Sequence, residues 1–183
     1  QRLKKLTEDL VEASKASTGN LAVSWERLDF KQLADQALAE CGERLEAQGL
    51  TVVRTLPEEP VWVDADGRHL WRVLDNLLGN CAKYALPGTR VYVELRKQDG
   101  WAVLSVKNIS RDALDVPAER LMERFVRGDE SRNASGSGLG LSIAQSLTEL
   151  QHGRFEISID GDLFKAIVTL PLAGEDGVGL PIL

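Results

Sequence analysis

Histidine, cysteine and positive charge are all scarce in this chain of 183 residues. The two cysteines, Cys41 and Cys81, lie 40 positions apart inside apolar patterns, with no second ligand at metal spacing. Two buried thiols are therefore expected, and a disulfide framework or a cysteine metal site is not. Lys and Arg number 22 against 28 Asp and Glu, a net charge of −6. That balance argues against a nucleic-acid partner, although one small cationic pocket remains open. No apolar run approaches the roughly 18–20 residues of a membrane span, and no signal peptide is visible.

What is present is ordinary for a globular chain: 43% hydrophobic and 27% charged residues. The length suits one domain with a flanking element, long enough to bury roughly 70% of its unfolded surface. Residues 1–17 read as a helix with a narrow apolar seam of Leu3, Leu6, Leu10 and Ala13, stopped at Thr18-Gly19-Asn20. It looks like the tail of a longer stem in a bundle or dimer, the alternative being a helix packed on its own domain. Trp25–Leu28 reads as a short strand, and Asp29 to Gln32 has capping-box spacing. Helical periodicity follows from Phe30 to Leu45, then strands at Leu50–Leu56 and Val61–Val63. A second helix spans about 67–85, stopped by Pro87-Gly88. Val91, Val93 and Leu95 alternate with polar neighbours, and Asp99-Gly100 turns the chain into a strand at Trp101–Lys107. Residues 108–138 are polar and irregular apart from a short helical stretch at about 117–125. A third helix opens at Gly138-Leu139-Gly140 and closes at Gly153, and a last hairpin turns at Asp160-Gly161-Asp162. Three helices among antiparallel hairpins predict an α+β fold. The expected form is a two-layer α/β sandwich, with one mixed sheet and the helices on one face, preceded by the stem helix.

Three constellations carry chemistry. In the second helix Asn76, Asn80, Lys83 and Tyr84 fall at i, i+4, i+7 and i+8, one stripe opposite the leucine face. The two amide oxygens suit a hard cation such as Mg²⁺, Lys83 suits phosphate, and Tyr84 offers a flat face to a base. The competing reading is a polar solvent face. The second constellation, Gly136-Ser137-Gly138-Leu139-Gly140-Leu141-Ser142, opens the third helix. Glycines admit an anion to backbone N–H groups at a helix start, though such turns are common and no Walker-type Lys follows. A third lies between them, Glu123-Arg124-Phe125-Val126-Arg127-Gly128-Asp129, where an arginine either clamps a terminal phosphate or belongs to a surface charge cluster.

These residues resemble a known family. Asn76 to Tyr84 is similar to the N box of bacterial sensor histidine kinases, Glu123 to Arg127 to their F box, and Gly136 to Ala144 to their second glycine box. Order and spacing agree, and the resemblance covers roughly residues 22–172; residues 2–21 resemble the end of the preceding dimerisation domain. It implies three segments: the end of a stem helix over 1–21, an ATP-binding catalytic domain of the Bergerat type over 22–172, and a flexible tail over 173–183. It also implies that Asn80, assisted by Asn76, ligands Mg²⁺, that Lys83 and Arg127 contact phosphate, and that Tyr84 lies against adenine. Gly136, Gly138, Leu139 and Gly140 would belong to the phosphate loop, and residues 128–137 would form an ATP lid. Partners implied are ATP, the protein's own histidine-bearing dimerisation domain and a response regulator. The parent would be a homodimer in the bacterial membrane with this domain on its cytoplasmic side.

Two departures stand out. The first glycine box, Asp-x-Gly-x-Gly in the family, is here Asn108-Ile109-Ser110-Arg111-Asp112, without glycine. Asn108 keeps an accepting oxygen for the adenine amino group but not the negative charge. Neither His69 nor His152 stands in a phosphoacceptor motif, so the receiving histidine is expected upstream of Gln1. The alternative function is a nucleotide-binding regulatory switch, a pseudokinase in which the altered box has ended catalysis.

Overall fold

The computed structural model describes residues 21–115, 117, 121 and 139–174, together with 4, 7, 10–12, 14, 15, 18 and 19. Arg127, Gly136 and Gly138, most of the expected helix at 117–125, and the tail beyond 174 lie outside the described residues. The described residues between 4 and 15 are helical, as the seam predicts, and Leu10 and Val11 on that helix are exposed.

In chain order the elements are β1 (Glu26–Asp29), α1 (Phe30–Glu46), β2 (Thr51–Thr55), β3 (Trp62–Ala65) and α2 (Gly67–Tyr84). They continue with β4 (Arg90–Gln98), β5 (Trp101–Ile109), α3 (Gly140–Leu150), β6 (Arg154–Asp160) and β7 (Leu163–Pro171). Five strands form a mixed sheet in the order β2-β4-β5-β7-β6, in which β2 runs parallel to β4 and the other neighbours are antiparallel. The expected α+β sandwich is therefore present, with one difference. β1 and β3 do not join the main sheet but pair with each other, Glu26 opposite Ala65 and Asp29 opposite Trp62. A single bridge, Val63 to Leu172, ties this ribbon to the end of β7.

Local chemistry explains the boundaries. Asp29 caps α1, accepting from the Lys31 N–H at 3.0 Å, and the same oxygen accepts from Val61 N–H at 2.9 Å, so the cap also fixes the approach to β3. Asp99 and Gly100, with φ of 50° and 82°, form the two-residue turn between β4 and β5. The core lies between sheet and helices. Val91, Val93, Leu95, Leu104 and Val106 supply its floor, and Phe30, Leu45, Leu74, Leu77, Ile143 and Leu147 its roof. Both cysteines are free and buried, as expected from their apolar settings.

Candidate nucleotide site

The helix α2 buries Leu70, Val73, Leu74, Leu77, Leu78 and Cys81, the face expected from helical period. Asn76, Asn80 and Tyr84 are left half-buried on its other flank, and Lys83 is exposed. Asn76 faces the start of α3: a Cβ on Gly140 would sit 3.4 Å from its Oδ1. The Nδ2 of Asn76 is buried with no hydrogen-bond partner among the described residues. A buried donor without a partner is rare enough in native proteins to require a reason.

The helix starts sharpen the point. α2 is capped by Asp66, whose Oδ1 accepts from the N–H groups of Arg68 and His69 at 2.9 and 3.3 Å. α3 follows Leu139 and has no side-chain cap hydrogen bond. The positive end of the helix dipole from Gly140 onward suits an anion. Ser142, the one hydroxyl in the first turn, donates instead to the Leu139 carbonyl at 2.9 Å. An oxygen-rich, charged ligand fits this arrangement. One flank supplies amide groups on α2, the other a helix start with glycine at the closest approach, and Lys83 adds positive charge.

The loop at the end of β5, where the resemblance expects the first glycine box, is tied to α2. Asn108 is buried at the end of β5. Its Oδ1 accepts from the Cys81 thiol at 3.5 Å, and its Nδ2 donates to the neighbouring Ile109 carbonyl at 3.2 Å. Burial pushes the Cys81 pKa up to about 12, so the thiol keeps its proton and remains a donor. Asn108 therefore links α2 to β5, with one lone pair on its oxygen left for a ligand.

Beyond it, Arg111 occupies the loop where glycines were expected. Its N–H donates to the Tyr84 carbonyl at 2.8 Å, and its Nη2 donates to the Lys83 carbonyl at 3.3 Å. Arg111 thus pins the loop to the last turn of α2, which satisfies carbonyls that the helix end leaves open. The glycine positions of the box fall on its neighbours Ser110 and Asp112, a loss visible in the sequence, whereas the partners of Arg111 are not.

Each histidine has a local partner near the start of β1. The Nε2 of His69 lies 2.9 Å from the Ala22 carbonyl, and the His152 ring stacks on Trp25 with centroids 5.2 Å apart. Both contact the segment entering β1, Ala22 and Trp25. Among the described residues no group of three or more His, Cys, Asp or Glu could hold a metal, and no helix is long and apolar enough to cross a membrane. A cation at this site would depend on amide oxygens and ligand oxygens, which suits Mg²⁺.

Comparison with known proteins places the chain in a family and supports its fold. The model of the histidine kinase-, DNA gyrase B- and HSP90-like ATPases matches residues 65–174. The chain is 26% identical over 184 residues to the sensor protein kinase WalK of Staphylococcus saprophyticus, covering 97% of this chain and 30% of that protein. With WalK of Staphylococcus haemolyticus it shares 25% identity over 177 residues, covering 93% and 29% respectively. It thus spans less than a third of the length of these curated relatives. Full-length ShkA in complex with AMPPNP superposes with a TM-score of 0.80 at 22% identity, over 93% of this chain and 36% of that one. The Acinetobacter baumannii histidine kinase AdeS gives 0.72 at 20% identity, over 94% and 79%. The mycobacterial sensor histidine kinase MprB gives 0.68 at 26% identity, over 81% and 98%.

Proposed function

The chain belongs to the histidine kinase-, DNA gyrase B- and HSP90-like ATPases, and from that premise we propose that it is the ATP–Mg²⁺-binding catalytic domain of a sensor histidine kinase. The observation that carries this reading is the uncapped start of α3 facing Asn76, whose buried amide nitrogen lacks a partner. Asn80 and Asn76 present amide oxygens for Mg²⁺. Lys83 supplies charge to the phosphates, and the N–H groups from Leu139 and Gly140 onward receive them. Tyr84 and Asn108 stand at the adenine end. Arg127, Gly136 and Gly138, outside the described residues, complete the phosphate contacts by their positions in the sequence motifs. Mg²⁺, when bound, neutralises phosphate charge, and the chain's own contribution to transfer is positioning and electrostatic stabilisation.

The phosphoryl group then passes to a histidine outside these 183 residues, on a dimerisation domain of a homodimeric parent, and from there to an aspartate of a response regulator. The parent is a membrane sensor, with this domain on the cytoplasmic side. A second reading is favoured by one feature, the internal use of Asn108: a nucleotide-binding switch that holds ATP without transferring phosphate.

Calorimetric titration with ATP and Mg²⁺ tests the site. Asn80→Ala should abolish Mg²⁺-dependent binding while leaving the thermal midpoint within a few degrees of wild type; retained binding would sink the assignment. Mixing the domain with its histidine-bearing stem and labelled ATP separates the two functions. Phosphohistidine supports the kinase, and ATP binding without it supports the switch.

A further inference from the structure

The far end of the α2–α3 pair carries a second, fully satisfied polar junction. Gln151, at the C-terminus of α3, is completely buried. Its Oε1 accepts from the Asp66 N–H at 2.9 Å, across 85 residues of sequence, and its Nε2 donates to the Leu147 carbonyl at 2.7 Å. Asp66 is the residue that caps α2. One side chain therefore ties the last turn of α3 to the first turn of α2.

The two helices run antiparallel, because Asp66 meets Gln151 at one end while Asn76 meets Gly140 at the other. Ten steps along α2 rise about 15 Å and eleven along α3 about 16.5 Å at ~1.5 Å per residue. The junction and the nucleotide site thus bracket one rigid stretch of paired helix. Along that stretch Leu70, Leu74 and Leu77 of α2 and Ile143 and Leu147 of α3 belong to one buried apolar core, and apolar packing is not directional. The Asp66–Gln151 hydrogen bond is directional, and it is buried where a lost partner leaves an unsatisfied N–H.

We infer that Gln151 is a remote positioning residue: it sets the axial register of α3 against α2, and so the distance between the phosphate-receiving start of α3 and the amide groups of Asn76 and Asn80. The inference rests on the nucleotide-site reading above. It predicts that a change at Gln151 is felt at Gly140, at the other end of the helix. A displacement near 1 Å between groups that share one ligand reduces affinity or rate by up to about a hundred-fold.

The test compares wild type with Gln151→Leu, which keeps bulk and removes both hydrogen bonds, and Gln151→His, whose neutral ring keeps one acceptor and one donor. Three quantities are read: Mg²⁺–ATP affinity, thermal midpoint, and the amide resonances of Gly140 to Ser142 with the Asn76 side-chain amide, in protein without nucleotide. Gln151→Leu should move those distant resonances and weaken Mg²⁺–ATP binding roughly ten- to hundred-fold, while Gln151→His returns both toward wild type. Unmoved resonances at Gly140 to Ser142 in Gln151→Leu, whatever its thermal midpoint, overturn the inference, since Gln151 would then contribute stability alone. So does unchanged Mg²⁺–ATP affinity with wild-type binding intact. If Gln151→Leu does not fold, Gln151→Asn, one methylene shorter, is read by the same criteria. Moved resonances in a protein whose wild type fails to bind Mg²⁺–ATP would support the register role and remove the nucleotide-site reading, so the two failures are distinguishable.

Discussion

At the Asp66–Gln151 end of the α2–α3 pair, both carboxylate oxygens and both ends of the amide have partners. At the Asn76–Gly140 end, about 15 Å away along the helix, a buried amide nitrogen has none, and a helix begins without a side-chain cap. The same two helices supply both ends, so helix propensity does not account for the difference. Satisfied polar groups at one end fix geometry; at the other, the unpartnered Asn76 amide is what the proposed ligand would satisfy.

The glycines at the two ends of α3 offer the sharpest way to break this comparison. A Cβ on Gly153 would lie 2.6 Å from the Thr169 carbonyl oxygen and 2.8 Å from side-chain carbons of Leu170 and Thr148. Gly153→Ala should therefore cost about 3 kcal/mol of stability in urea denaturation, because backbone on β7 must move. Among the described residues, a Cβ on Gly140 would meet the Asn76 side chain, Oδ1 at 3.4 Å and Cγ at 3.9 Å. Gly140→Ala should leave stability within about 1 kcal/mol, helped by alanine's helix propensity, while lowering Mg²⁺–ATP affinity in calorimetry. If Gly153→Ala were tolerated and Gly140→Ala unfolded the domain, the assignment of a structural end and a ligand end would be reversed.

Asp66 gives a pH-dependent form of the test. Burial on its own would raise its pKa. Hydrogen bonds from the Ser24, His69 and Arg68 N–H groups, together with the charge His69 carries when protonated, outweigh this and hold the carboxyl below its usual range. A carboxylate lowered on folding contributes stability that is fully present above its unfolded pKa, near 4, and is lost as pH falls through the folded value. Asp66→Asn should cost about 1–2 kcal/mol at neutral pH. It should also flatten the loss of stability on acidification below about pH 4. Identical acid profiles for the variant and wild type would show that the cap is not ionised in the way its hydrogen bonds imply.

Much of this was legible in the sequence, for identifiable reasons. Helix period gave α1, α2 and α3 to within a few residues. The i, i+4, i+7, i+8 stripe on α2 was readable because one helix fixes all four residues. What escaped was non-local. The four-residue ribbon of β1 and β3 is too short for alternation to reveal its partner, and its isolation from the main sheet follows from tertiary packing. The parallel pairing of β2 with β4 leaves no mark in either strand. The Asp66–Gln151 contact spans 85 residues. Its trace in the sequence is a glutamine one turn beyond Leu147 on the buried face of α3, a polar residue where periodicity calls for an apolar one. The glycines missing from the box, at Ser110 and Asp112, are legible in the sequence, but the arginine between them that fastens the same loop to the carbonyls of Lys83 and Tyr84 is not.

The mildest prediction asks whether an unpartnered buried group suffices to mark a site. Besides Asn76, the other such side-chain atom among the described residues is the Ser105 Oγ, on the central strand β5. Ser105 alternates with Leu104 and Val106, which point toward the helices, so its hydroxyl lies on the opposite face of the sheet, flanked by Glu94 and Ile167. No uncapped helix or glycine approach accompanies it there, in contrast to Asn76. Ser105→Ala removes an unsatisfied hydroxyl with little change of volume, so it should be neutral or stabilise by up to about 1 kcal/mol. Mg²⁺–ATP affinity should stay at the wild-type value. A loss of nucleotide binding in Ser105→Ala would mean that the sheet's outer face communicates with the site, and that the contrast between the two ends of α2 and α3 leaves out a third region.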